Sequence, residues 1–204
     1  MTELLSTEKQ AVILNAARRR FAYYGFSKVT MDEIAADVGM GKTSLYYYFP
    51  TKESLFQEVV KQEKSQFFDD INSMVAEKIT PCEMLRKYAA KRIEHFRNLA
   101  NLRALGLQQH GEMKSWSLGL YEDFQNQEVK ALMQILQIGK KSGDFMVSNL
   151  QQSAEVIMQM LYGPRSWVLH KVQLNLDDEE TFRLIEQATK EIVEIILNGI
   201  KKRK

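Results

Sequence analysis

The stretch Val29–Lys52, VTMDEIAADVGMGKTSLYYYFPTK, spells two short helices joined by a tight turn. Thr30 and Glu33 have the spacing of a capping box, in which each side chain satisfies a backbone N–H at a helix start, and Val29 and Ile34 occupy the two positions of a hydrophobic staple. A helix is therefore expected from Met31. Ile34 and Val38 give it one buried side, and Gly39 supplies the left-handed residue that commonly ends a helix. A second helix of at most two turns is bounded by Gly41 and by Pro50, which disfavours helical geometry at Phe49. Leu45 and Phe49 are spaced to point inward, leaving Lys42, Thr43, Ser44, Tyr47 and Tyr48 outward and Tyr46 toward the flank.

A short helix held against a companion can enter the major groove of DNA with its N-terminal side chains at the base edges. Thr43 and Ser44 stand where bases are read. Lys42, Tyr46, Tyr47, Tyr48 and Lys52 are better placed for phosphates, and Thr30 sits at a helix N-terminus that can hold another. Tyr47 could serve both purposes, and Tyr46 could equally be a half-buried packing residue.

These residues resemble a known family. A helix, a glycine turn and a short helix ending in LYYYF, followed by Pro50, Thr51 and Lys52, are similar to the helix-turn-helix of the TetR family of bacterial transcriptional regulators, over about residues 7–56. The resemblance implies an all-α fold: an N-terminal three-helix helix-turn-helix DNA-binding domain and a larger C-terminal helical domain that binds an inducer and dimerises through its last two long helices. It also makes repression the expected mode of regulation.

Composition fits a helical globular chain. Of 204 residues, 45% are hydrophobic, with only 10 glycines and 3 prolines. A net charge of +2 suits a modest basic surface in one place rather than a general coating of nucleic acid. No apolar run is long enough to span a membrane and the N-terminus lacks a signal-peptide layout, so a cytoplasmic protein is expected. The single cysteine, Cys82, excludes an internal disulfide. GMGKTS lacks P-loop spacing, His95, His110 and His170 lack the i, i+4 pairing of a zinc site, and no serine sits in a nucleophile elbow. Neither an enzyme nor a cofactor or metal site is expected.

Taken in order, the chain divides into residues 1–51 for DNA binding, a connecting helix over 52–80 shared by both domains, and 81–204 for the larger domain. Thr7 and Gln10 form a capping-box pair ahead of a helix carrying Ile13, Ala17, Phe21 and Tyr24 to Gly25. Thr51 caps a long helix reaching about Ile79. Thr80, Pro81 and Glu83 open the next, and a shorter segment follows around 102–109. A helix opened by Trp116 runs to Ser142-Gly143-Asp144, and Ser148 with Gln151 starts another, in which Gly163-Pro164 predicts a kink or a break. The last helix is expected to begin near Asp177.

Tryptophans, tyrosines and most of the methionines lie in the larger domain, and a methionine-rich helical interior can repack around apolar ligands. Tyr88, His95, Trp116, Tyr121, Met158 and Tyr162 are the candidate lining for a small apolar or amphipathic ligand. Trp167, Ile185, Ala188, Ile192 and Ile196 are assigned to a homodimer interface, since the final helix carries more apolar surface than one core needs. The expected partners are double-stranded DNA with a near-palindromic operator, that ligand and a second copy of the chain, with no membrane. The alternative is the same DNA-binding fold controlled by a protein partner, with no small-molecule inducer.

Overall fold

A computed structural model describes residues 2–101, 115–172 and 179–202. Eight helices are found among the described residues: α1 (Thr2–Tyr24), α2 (Met31–Asp37), α3 (Lys42–Tyr48), α4 (Lys52–Val75), α5 (Pro81–Asn98), α6 (Ser115–Ser142), α7 (Leu150–Val172) and α8 (Glu179–Ile200). None of them is long and apolar enough to cross a membrane. Contacts divide the chain into two compact units, one of residues 1–66 with 99–121 and the other of residues 67–98 with 122–204.

In the first unit, α1, α2, α3 and the start of α4 close on one apolar cluster. Ile13, Ala17 and Phe21 meet Ile34, Leu45, Leu55 and Phe56, and Tyr121 joins the same cluster. Fully burying an aliphatic side chain such as Leu45 is worth about 1.5–3 kcal/mol, which is what holds a seven-residue helix that could not persist alone. Phe21 and Phe26 both pack on the Phe56 ring, at 5.2 and 5.0 Å. Asn101 donates from Nδ2 to the Arg18 carbonyl at 3.1 Å and to Glu63 Oε1 at 2.8 Å.

In the second unit, α8 packs against both α5 and α7. Its core includes Phe67, Ile71, Leu85, Leu132, Ile135, Ile185 and Leu197. The far end of α8 is tied to the turn after α6: Met146 N–H donates to Ile200 O at 2.7 Å and Lys202 N–H to Asp144 O at 3.0 Å. Gly143 closes α6 with φ of 78°, and Phe145 then folds back so closely that a Cβ on Gly139 would collide with its ring.

Local signals and structure agree at Thr30 and Thr80, where both capping boxes form in full. Three expected helix ends need correction. The first helix begins at Thr2, so Thr7 lies within it; nothing between Thr2 and Thr7 breaks a helix. Asn149, not Ser148, caps α7, its Oδ1 accepting the Gln152 N–H at 3.1 Å. α4 ends at Val75, four residues short of Ile79. Pro164 does not break α7, which continues to Val172. The segment expected at 102–109 and the Asp177 start lie outside the described residues.

Candidate nucleic-acid interface

The capping box sets where α2 starts. Thr30 Oγ1 accepts the Glu33 N–H at 3.3 Å, and Glu33 Oε2 accepts the Thr30 N–H at 2.8 Å. These bonds, first from the Thr30 backbone and then from its hydroxyl, hold the Glu33 carboxyl below its ordinary pKa. After Gly39, at φ of 63°, the chain turns directly into α3. Leu45 is buried completely and Phe49 nearly so, which fixes the rotation of α3 about its axis. Lys42, Thr43 and Ser44 are consequently exposed, Tyr47 is 83% exposed, Tyr46 is exposed at the flank and Tyr48 is half-buried. Tyr47 and Tyr48 contact edge-on, with centroids 5.4 Å apart.

Two cations of the expected set already hold protein groups. Lys42 Nζ lies 2.9 Å from the Asp32 carboxylate, tying α3 to α2, and this bond raises the Lys42 pKa. Lys52 Nζ donates to the Phe26 and Val29 carbonyls, both at 3.0 Å, and sits 4.5 Å from the centre of the Phe26 ring. The first position of α4 thereby clamps the loop that precedes α2, a job the sequence did not disclose for Lys52. Arg20 likewise spans Asp37 and Glu33; the Asp37 hydrogen bond raises its pKa and lowers that of Asp37.

The residues expected to line a ligand cavity do not form one group. Tyr121 belongs to the apolar core of the first unit. Trp116 is a residue whose side chain lies outside the description. In the second unit Met158 is buried, and Tyr88 and Tyr162 converge on a carboxylate missing from the expected set: Glu128, fully buried on α6, accepts from Tyr88 Oη at 3.1 Å, Tyr162 Oη at 2.7 Å and Arg92 Nε at 2.6 Å. Arg92 also donates to Leu161 O at 3.1 Å, next to the carbonyl that Pro164 leaves without its helical donor, and stacks 4.0 Å over the Tyr162 ring. Burial opposes the Arg92 charge more than any one neighbour favours it, but Glu128, Tyr162 and Tyr88 together outweigh burial, so the guanidinium pKa is raised. Burial, and then the Glu128 charge, push the Tyr88 phenol well above its ordinary value. His95 stands apart, its Nε2 on Asp70 at 2.8 Å and its ring against Phe67.

The dimer assignment is corrected at two positions. Ile185 and Ile196 are buried within the second unit, because α8 turns that side of its apolar stripe toward its own core. Trp167 and Ile195 are 56% and 62% exposed, Val156 is exposed, and Ala188 and Ile192 are half-buried.

Residues 13–59 match the model of bacterial regulatory proteins of the tetR family, which is the stretch that builds the helix-turn-helix. A transcriptional regulator of known structure from Cytophaga hutchinsonii is 35% identical, with 95% of this chain and 99% of that one covered at a TM-score of 0.81. The chain belongs to the TetR family. Other relatives match less completely. The transcriptional regulator RutR of Escherichia coli is 31% identical over 86 residues, 42% of this chain and 40% of RutR. The fatty acid metabolism regulator protein of Bacillus subtilis is 25% identical over 175 residues, 82% of this chain and 88% of that protein.

Proposed function

We propose that the protein is a sequence-specific DNA-binding transcriptional regulator, a repressor, that occupies a near-palindromic operator as a homodimer and is released by a small, largely apolar ligand bound in the second unit. The observation that carries the DNA reading is the exposed face of α3. Thr43, Ser44 and Tyr47 project from a helix whose rotation is fixed by Leu45 and Phe49. Hydroxyls there can meet base edges and phosphates, and the two half-sites should lie about one helical turn apart, roughly 34–36 Å, or modestly more. Thr30 and Tyr46 flank that face, and Lys42 and Tyr48 stay with it. Lys52 serves by holding the loop before α2.

Val156, Trp167, Ala188, Ile192 and Ile195 supply the dimer surface in this reading, in place of Ile185 and Ile196. Tyr88, Tyr162 and Arg92 around Glu128 supply polar groups beside Met158 for an amphipathic ligand. Such a ligand releases DNA only by its difference in affinity for the two states of the protein.

Fluorescence-anisotropy titration against duplexes selected from genomic fragments, at stated salt, tests the reading. Tyr47→Ala should abolish the preference for a selected duplex over a scrambled one while leaving thermal unfolding unchanged. An unaltered preference in the variant would refute the assignment of this face.

A further inference from the structure

Cations around the recognition helix sort by what they already hold. Arg20 is engaged by Asp37 and Glu33, Lys42 by Asp32 and Lys52 by two carbonyls. Lys9, on the first half of α1, is exposed, and among the described residues its ammonium has no hydrogen-bond or ion-pair partner. It lines one concavity of about 510 Å³ together with Gly41, Thr43, Ser44 and Tyr47. No carboxylate contributes to that wall. The concavity therefore joins a positive charge without a carboxylate partner on one helix to the hydroxyls of another, a wall whose chemistry suits an anion.

We infer that Lys9 docks a backbone phosphate of the operator beside the bases met by Thr43 and Ser44, so that the first helix, outside the helix-turn-helix proper, takes part in DNA binding. The inference rests on the DNA-binding reading and deepens it. Lysine is a compact charge on a flexible stem, suited to a phosphate and poorly suited to bidentate base recognition. A duplex seated on Thr43, Ser44 and Tyr47 covers the same concavity, which brings its sugar-phosphate backbone within reach of that stem. Phosphate contacts fix register without reading sequence, so Lys9 should strengthen all duplexes alike.

The test is the salt dependence of binding by the full chain, using the tightest duplex that the wild-type protein selects from random sequence. Lys9→Ala should reduce the slope of log K against log salt by about 0.9, the value for one lost phosphate contact on duplex DNA. It should weaken selected and scrambled duplexes by the same factor, while Lys9→Arg restores the slope. Lys42→Ala, whose ammonium is neutralised by Asp32, should move the slope less. A wild-type slope in Lys9→Ala, or a full unit lost in Lys42→Ala and none in Lys9→Ala, overturns the assignment while leaving DNA binding intact. A wild-type chain that selects no duplex sinks the DNA-binding reading, and the assignment with it.

Discussion

Around the recognition helix, Ile13, Phe21, Ile34 and Leu45 meet in an apolar cluster, and the ion pairs Arg20–Asp37 and Lys42–Asp32 stand outside it in water. In the second unit the arrangement is reversed. Glu128 is fully buried, with Arg92, Tyr88 and Tyr162 spent on its two oxygens. Exposed pairs can be lost with little consequence, whereas removing one partner of a buried pair strands the other. The small unit is thus held by shape and decorated with charge, and the larger one has built charge into its interior, where a mutation is felt by four residues on three helices.

Glu128→Ala is the sharpest way to break that contrast. It leaves the Arg92 guanidinium unpaired and should cost about 3–5 kcal/mol in guanidinium-induced unfolding. The double change Glu128→Leu with Arg92→Met should recover most of that loss, since a well-packed apolar pair is often as stable as a buried ionic one. A loss below about 1 kcal/mol for Glu128→Ala would mean that the network is wet and the contrast false.

Leu45→Ala probes the other side. Emptying a fully buried leucine site costs about 2–5 kcal/mol, and here it also frees the rotation of α3. Operator binding should fall along with the unfolding free energy of the first unit. Retention of both would show that the apolar cluster is not what holds the helix.

The smallest effect belongs to the α2 cap. Thr30→Ala should cost about 1 kcal/mol. Glu33 is held below its ordinary value of 4.5 by the Thr30 backbone and hydroxyl, so its contribution is present above that pH and is lost as pH falls through the lowered folded value. Stability measured downward from about pH 5 should therefore decline less steeply in Glu33→Gln than in the wild type. Parallel pH profiles would leave the cap without electrostatic weight.

Much of the small unit was legible because its determinants are local. The box at Thr30, the turn at Gly39 and the outward face of α3 each follow from residues within one or two turns, as does the Thr80 box in the second unit. The same spacing misled at Thr7, because a capping-box pair says nothing about whether the helix already extends upstream. Ser148 lost to its neighbour Asn149, an equally good cap one residue later.

Site residues were hidden wherever their role depends on distant partners. Lys52 is spent on carbonyls 26 and 23 positions earlier, which no spacing rule could supply. The isoleucines of α8 form a stripe wide enough for two neighbours, and only packing against α5 and α7 decides which of them face inward. Tyr121 joined the first unit's core for the same reason. Glu128 did leave a trace. It interrupts the apolar stripe of Phe124, Leu132 and Ile135, as Arg92 interrupts that of Leu85, Tyr88 and Phe96, and two charges of opposite sign inside apolar stripes are the signature of a buried pair.

The close approach of Phe145 to Gly139 bears on which sequences this fold can accept. Gly199, on the next-but-one helix, has open space where a side chain would go, so alanine there should be neutral or favourable. At 139 the smallest added methyl would have to evict an aromatic ring that itself sits beside the knot joining residues 144–146 to 200–202. In a saturation library selected for folding, position 139 should therefore retain only its parent residue unless position 145 shrinks in the same clone, making the two a linked pair whose allowed changes come together.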